Sequence, residues 1–135
     1  MKIVNINIKN SKLNSLSFSL SIKFVSKIEM FEELDFVDFY NGIVNLLNHT
    51  SCDVFEMQLD YFDMPIIFML KRINEDNFQF VRFYSDKENM KYDLDKNTLK
   101  LFINEFKDKV TVELKKHYTI EEIENYYKNN LEDLM

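Results

Sequence analysis

The chain predicts an α+β fold: an antiparallel sheet of about five to six strands, one helix inserted after an opening hairpin, and one or two helices at the end. Three observations carry this. Leu16, Phe18, Leu20, Ile22 and Phe24 alternate strictly with Ser15, Ser17, Ser19, Ser21 and Lys23, the period of a half-buried strand. From Asp35 onward, Phe36, Phe39, Tyr40, Ile43 and Leu47 recur instead at steps of three and four, the stripe of an amphipathic helix. Short polar clusters then punctuate residues 52 to 94, and connections this short join antiparallel neighbours.

The elements follow in order. Val4, Ile6 and Ile8 alternate with Asn5, Asn7 and Lys9, and Asn10-Ser11-Lys12 supplies a turn, so this segment pairs with the Ser15 to Phe24 strand as a hairpin. The serine row of that hairpin faces water or a partner. Asp35 is placed to cap a helix that runs to about Asn48. Gly42 inside it costs about 1 kcal/mol relative to Ala, a residue that permits close packing against a strand. Phe55, Met57 and Leu59 then alternate, Asp60-Tyr61-Phe62-Asp63 forms a loop, and an apolar strand runs from about Pro65, which suits a first position, to Ile73. After the turn at residues 74–77, Phe78 to Tyr84 is apolar on both faces, as a central strand covered on both sides requires. Residues 85–89 turn again, and Met90, Tyr92 and Leu94 complete a four-strand meander.

The last third is helical. Leu99, Phe102, Ile103, Phe106, Val110 and Leu114 share a stripe, although Val110, Val112 and Leu114 also alternate as an edge strand would. Thr119 and Glu122 have capping-box spacing, so a second helix begins there with Ile120, Ile123, Tyr127, Leu131 and Leu134 facing inward. No sequence repeat or linker divides the chain, and residues 1–135 read as a single domain.

With 46% hydrophobic residues, 13 Phe and 7 Tyr, the chain has ample apolar area for one core, and at this size folding removes roughly two thirds of the unfolded surface from water. Cys52 is the only cysteine and forms no internal disulfide. The early apolar residues are interrupted by Asn, Lys and Ser, unlike a cleavable leader, and the longest apolar run, Met64 to Leu70, contains Pro65 and is too short to span a bilayer. A cytoplasmic protein without membrane association is expected.

Charge is distributed by region. The 43 residues between Lys27 and Lys71 hold no Lys or Arg but nine carboxylates: Glu29, Glu32, Glu33, Asp35, Asp38, Asp53, Glu56, Asp60 and Asp63. That block is net −9 in a chain of net −6, whereas the first 27 residues carry five Lys and no acid. Some of the acids suit the positive end of a helix, and the five Lys offer internal compensation, but nine carboxylates exceed what capping needs. The candidate partner-binding residues are Glu29, Glu32, Glu33, Asp35, Asp38, Asp60 and Asp63, with Tyr61 and Phe62 as aromatic anchors inside a charged rim. The partner this selects is a basic protein.

Catalytic and metal signatures fall short. Asp93-x-Asp95-x-Asn97 opens like an EF-hand loop, but the sixth position is Thr98 rather than Gly and the twelfth is Asn104 rather than Glu; a helix cap at Asp95 or Asn97 accounts for the same residues. His49-x-x-Cys52 offers two soft ligands where zinc takes four, and His117 is the only other histidine. Cys52 adjoins Asp53, the reverse of a thiolate-stabilising setting. One glycine in 135 residues excludes glycine-rich phosphate loops. Glu113-x-Lys115 has the spacing of a nuclease half-motif, yet a net charge of −6 repels phosphate. The expectation is a protein that is not an enzyme, holds no cofactor or metal and does not bind nucleic acid.

In size, acidity and the order of hairpin, helix, meander and final helices, the chain resembles the immunity proteins that bacteria pair with polymorphic or contact-dependent toxins. The resemblance implies a tight one-to-one complex in which an acidic surface blocks the active site of a cognate toxin, often a cationic nuclease. It carries no motif residue over to a position of this chain. Small α+β domains of this kind also resemble acidic secretion chaperones, which implies a homodimer with an apolar groove. A metal-dependent hydrolase built from scattered carboxylates is the enzymatic alternative, revealed by stoichiometric binding of a divalent metal. The oligomeric state is open at this point.

Overall fold

Strict alternation puts Leu16, Phe18, Leu20, Ile22 and Phe24 on one face, and all five are 2% exposed or less. In the computed structural model, which describes residues 1–49, 53–61, 64–84 and 87–135, most of this stretch is strand β2 (Ser17–Phe24), paired antiparallel with β1 (Lys2–Asn10) and β3 (Lys27–Asp35). A second sheet takes β4 (Val54–Tyr61), β5 (Met64–Arg72), β6 (Asn77–Tyr84) and β7 (Lys87–Asp95) in sequence order, all antiparallel. Helices α1 (Phe36–Asn48), α2 (Lys96–Leu114) and α3 (Ile120–Asn130) complete an α+β fold.

The strands therefore divide between two sheets, and the opening hairpin is a three-stranded meander. Two runs share one plan: β1, β2 and β3 lead directly into α1, and β5, β6 and β7 lead directly into α2. Each junction is a Leu-Asp pair, Leu34-Asp35 and Leu94-Asp95. The Leu is buried, and the Asp carboxylate accepts from the backbone N–H three residues on, Asp38 at 3.0 Å and Thr98 at 2.7 Å. The repetition is structural, because little of the surrounding sequence is shared.

Inner faces of the two sheets meet in one core. Phe24 stacks on Phe80 and Tyr92 with ring centres 4.7 and 4.5 Å apart, and Phe31 meets Phe68 and Phe80 edge-on. The remainder of the core is filled by α1 and α2. Phe39 of α1 lies at its centre, with ring centres 5.1 to 6.4 Å from those of Phe18, Phe55, Phe68, Phe102 and Phe106.

Gly42 has the role its position suggested: a Cβ there would fall well inside contact with the Phe55 ring of β4. We expect Gly42→Ala to destabilise by roughly 1–3 kcal/mol through overpacking, against a helix-propensity gain of about 1 kcal/mol. Chemical denaturation measures it, and Phe55→Leu in the same chain should recover most of the loss.

Residues 109–114 continue α2, because Val110 and Leu114 fall on its buried stripe while Val112 faces solvent. The capping box opens α3 as expected, with Thr119 and Glu122 bonded reciprocally, but Ile120 is exposed and only Ile123 of that helix is fully buried. Nor does α3 reach Leu134. It stops at Asn130, and the chain turns extended along α1, where Asn41 and Asn48 each grip its backbone twice. Asn41 donates to the Asn130 carbonyl and accepts from Glu132 N–H; Asn48 donates to the Asp133 carbonyl and accepts from Met135 N–H, all at 2.8–3.0 Å. Seven helical residues rise about 10 Å, as do three extended ones, so the two grips stay in register. Leu131 and Leu134 accordingly reach the core from an extended segment.

Candidate functional site

Strand β3 reverses the usual polarity. After the two-residue turn Val25-Ser26, where Val25 holds a left-handed φ of 53°, Glu29 points inward and Ile28 and Met30 point outward, 55% and 59% exposed. Farther along, Phe18 faces Leu34 while Leu20 faces Phe31, so Glu32 and Glu33 together oppose the single residue Ser19. This is a β-bulge, and Glu33 carries it with a φ of 56°. Without the extra residue Glu33 would share the buried face of Phe31. With it, Glu32 and Glu33 both stay exposed and Leu34 returns to the core.

The acidic edge continues into α1. Asp35 caps the helix, and Asp38 stands exposed in its first turn. Asp35 and Asp38 border an open cleft with Leu13, Val37, Tyr126 and Asn130. On the other side of α1, Asp38 borders a second cleft with Asn41, Asn45 and Glu56. Partial burial and then the neighbouring Asp35 carboxylate raise the Asp38 pKa above its ordinary value. Burial raises that of Tyr126, with Asp35 again contributing. A cation placed here would relieve that strain.

The rest of this sheet face is mostly polar. Ser21 lies opposite Met30 and Lys23 opposite Ile28, with Asn5 and Asn7 of β1 beyond Ser21 and Ser19. Ile28 and Met30 thus stand beside serine, asparagine and the exposed Lys23, at the end of a row of carboxylates.

The sequence-derived candidates separate in the structure. Glu32, Glu33, Asp35 and Asp38 gather along one edge. Glu29 does not belong to the surface: it is 5% exposed and its carboxylate bonds the guanidinium of Arg82 on β6. The backbones of Asp60 and Tyr61 close β4 opposite Pro65 and Met64, while their side chains, and all of Phe62 and Asp63, lie outside the described residues, as does Cys52. Part of the acidic block is compensated within the chain. Asp53 lies 3.2 Å from His49 and 3.5 Å from Arg72, and among the described residues no lysine forms an ion pair with Glu33, Asp35 or Asp38.

Function must then be read from this surface and from likeness to known proteins. No family model, curated protein or solved structure matches the chain. The surface is therefore the remaining guide.

The residues weighed for chemistry have structural duties. Asp95 caps α2, and hydrogen bonds from the Thr98 backbone lower its pKa. Asp93 accepts from Gln79 at 3.0 Å. Glu113 pairs with Lys116 at 3.0 Å. His49 ends α1 in a left-handed conformation beside Asp53. Among the described residues no three His, Cys, Asp or Glu side chains converge as a metal site, and no helix is long and apolar enough to cross a membrane. Sequence reasoning missed Ile28 and Met30; the available signal was two apolar residues inside an otherwise acidic strand.

Proposed function

We propose that this chain is a non-catalytic binding protein of the cytoplasm that docks a basic protein through the outer face of β3 and the first turn of α1, as a toxin-immunity protein would. The observation that carries this reading is the continuity of Ile28 and Met30 with Glu32, Glu33, Asp35 and Asp38. An apolar patch that can be fully desolvated, beside a charged edge that stays wet, is the composition of a protein interface. The carboxylates steer a cationic partner and set the association rate, while the two apolar side chains hold it and set the dissociation rate. Val25, 87% exposed at the adjoining turn, extends the apolar end of the patch.

Capture from cells of the native source, identified by mass spectrometry, followed by binding kinetics with the purified partner, tests this. A charge variant carries Glu32→Lys, Glu33→Lys and Asp38→Lys with Asp35→Asn, which keeps a capping side chain. It should slow association roughly tenfold at low salt and flatten the salt dependence. The pair Ile28→Ser and Met30→Ser should instead speed dissociation and leave the salt dependence intact. A partner that binds both variants as it binds the natural chain contradicts the reading.

A further inference from the structure

We propose that the chain forms a weak two-fold dimer through the outer face of its four-stranded sheet, which leaves the acidic surface of β3 free on each copy. The strand registers define that face. One row across the sheet is Glu56, Met69, Val81 and Lys91, and the next is Gln58, Ile67, Phe83 and Glu88. These residues alternate with the core-facing row Phe55, Leu70, Phe80 and Tyr92, so they point away from the core.

Ile67, Met69 and Phe83, each half-buried, therefore form an apolar cluster around Val81 on the outer side of β5 and β6. Val81 is fully buried by its neighbours yet takes no part in the main core, and the helix contacts observed through Phe39, Gly42 and Phe102 all lie on the opposite face. The sequence led to the expectation of cover on both sides of β6. The helices supply it on one, and on the other Val81 is shielded only by its neighbours while Phe83 stays half-buried.

Charge at the two ends of the central row selects the occupant. Glu56 is exposed on β4, and Lys91, which lies 3.6 Å from Glu88 of its own strand, remains 51% exposed on β7, at opposite edges of the sheet. When two copies meet face to face about an axis parallel to the strands, rows stay aligned and edges exchange, so Glu56 of each copy faces Lys91 of the other. Met69 then lies over Val81 and Ile67 over Phe83. A two-fold axis across the strands would set Glu56 against Glu56 instead. The face is thus self-complementary in one two-fold arrangement. Its footprint is roughly 300–400 Å² from strand spacing and rise, smaller than a permanent interface, so the dimer is weak and reversible. Because the inner faces of the two sheets meet in the core, this dimer points its two β3 surfaces outward.

Sedimentation equilibrium across concentration, at low salt, tests the proposal without reference to any partner. The natural chain should dimerise reversibly, and Phe83→Asp should abolish this. Glu56→Lys, or Lys91→Glu combined with Glu88→Gln so that no like charge is left beside position 91 within the strand, should weaken the dimer roughly tenfold. All three substitutions in one chain should restore it, because each reversed residue again faces its opposite. A monomer up to about 1 mM, a dimer indifferent to Phe83→Asp, or a double reversal no tighter than the single ones would overturn it.

Discussion

Phe39→Ala should destabilise the protein by about 3–5 kcal/mol, a large part of the 5–15 kcal/mol typical of a whole domain. Phe39 is fully buried, and its ring meets rings from both sheets and from α2. Truncation there removes the aromatic contacts through which α1 joins the sheets and leaves a cavity that several rigid rings cannot collapse to fill. Urea denaturation followed by circular dichroism measures the loss. Phe39→Leu keeps most of the volume and should cost less than half as much. Equal losses for the two substitutions would mean that ring packing is not what holds α1 in place.

Arg82→Ala should cost a comparable amount, about 3–5 kcal/mol, because it strands a buried carboxylate. Glu29 and Arg82 join the two sheets from side chains that are 6% and 19% exposed. The pair is incompletely satisfied: Arg82 Nε has no hydrogen-bond partner among the described residues. Breaking such a pair is expensive, whereas replacing both members need not be. The double variant Glu29→Leu with Arg82→Met should therefore lie within about 2 kcal/mol of the natural chain, or exceed it. A double-mutant cycle in which the two losses simply add would show that Glu29 and Arg82 act independently.

These two predictions rest on residues that were unequally legible. Phe39 was plain, because the spacing of Phe36, Phe39, Tyr40 and Ile43 fits only a helix, and Asp35 marks its start. The strand β2, the four-strand meander and the capping box at Thr119 were equally legible, since one period governs each segment. Strand β3 was hidden because its period carries the wrong polarity. Ile28 and Met30 face out, Glu29 faces in, and the bulge at Glu32 and Glu33 breaks the alternation just before the helix. Burial of Glu29 depends on Arg82, which is 53 residues away in the chain, so no local pattern reveals it. The end of α3 was misplaced for a similar reason. Leu131 and Leu134 keep helical spacing, but Asn41 and Asn48 offer the backbone an extended alternative.

Part of the acidic surface was visible in the sequence and part was not. Glu32, Glu33, Asp35 and Asp38 stand out by composition and are gathered by the strand-to-helix junction. Composition also swept in Glu29, and it passed over the exposed Ile28 and Met30, which give the surface its apolar end.

Amide hydrogen exchange of the complex with the captured basic protein would test the central claim most directly. If the partner docks on β3 and the start of α1, amides between residues 28 and 38 gain protection on binding, and those of β5 and β6 between residues 66 and 84 exchange as they do in the free protein. Protection confined to β5 and β6, with residues 28 to 38 unchanged, would place the partner on the opposite sheet and contradict the account.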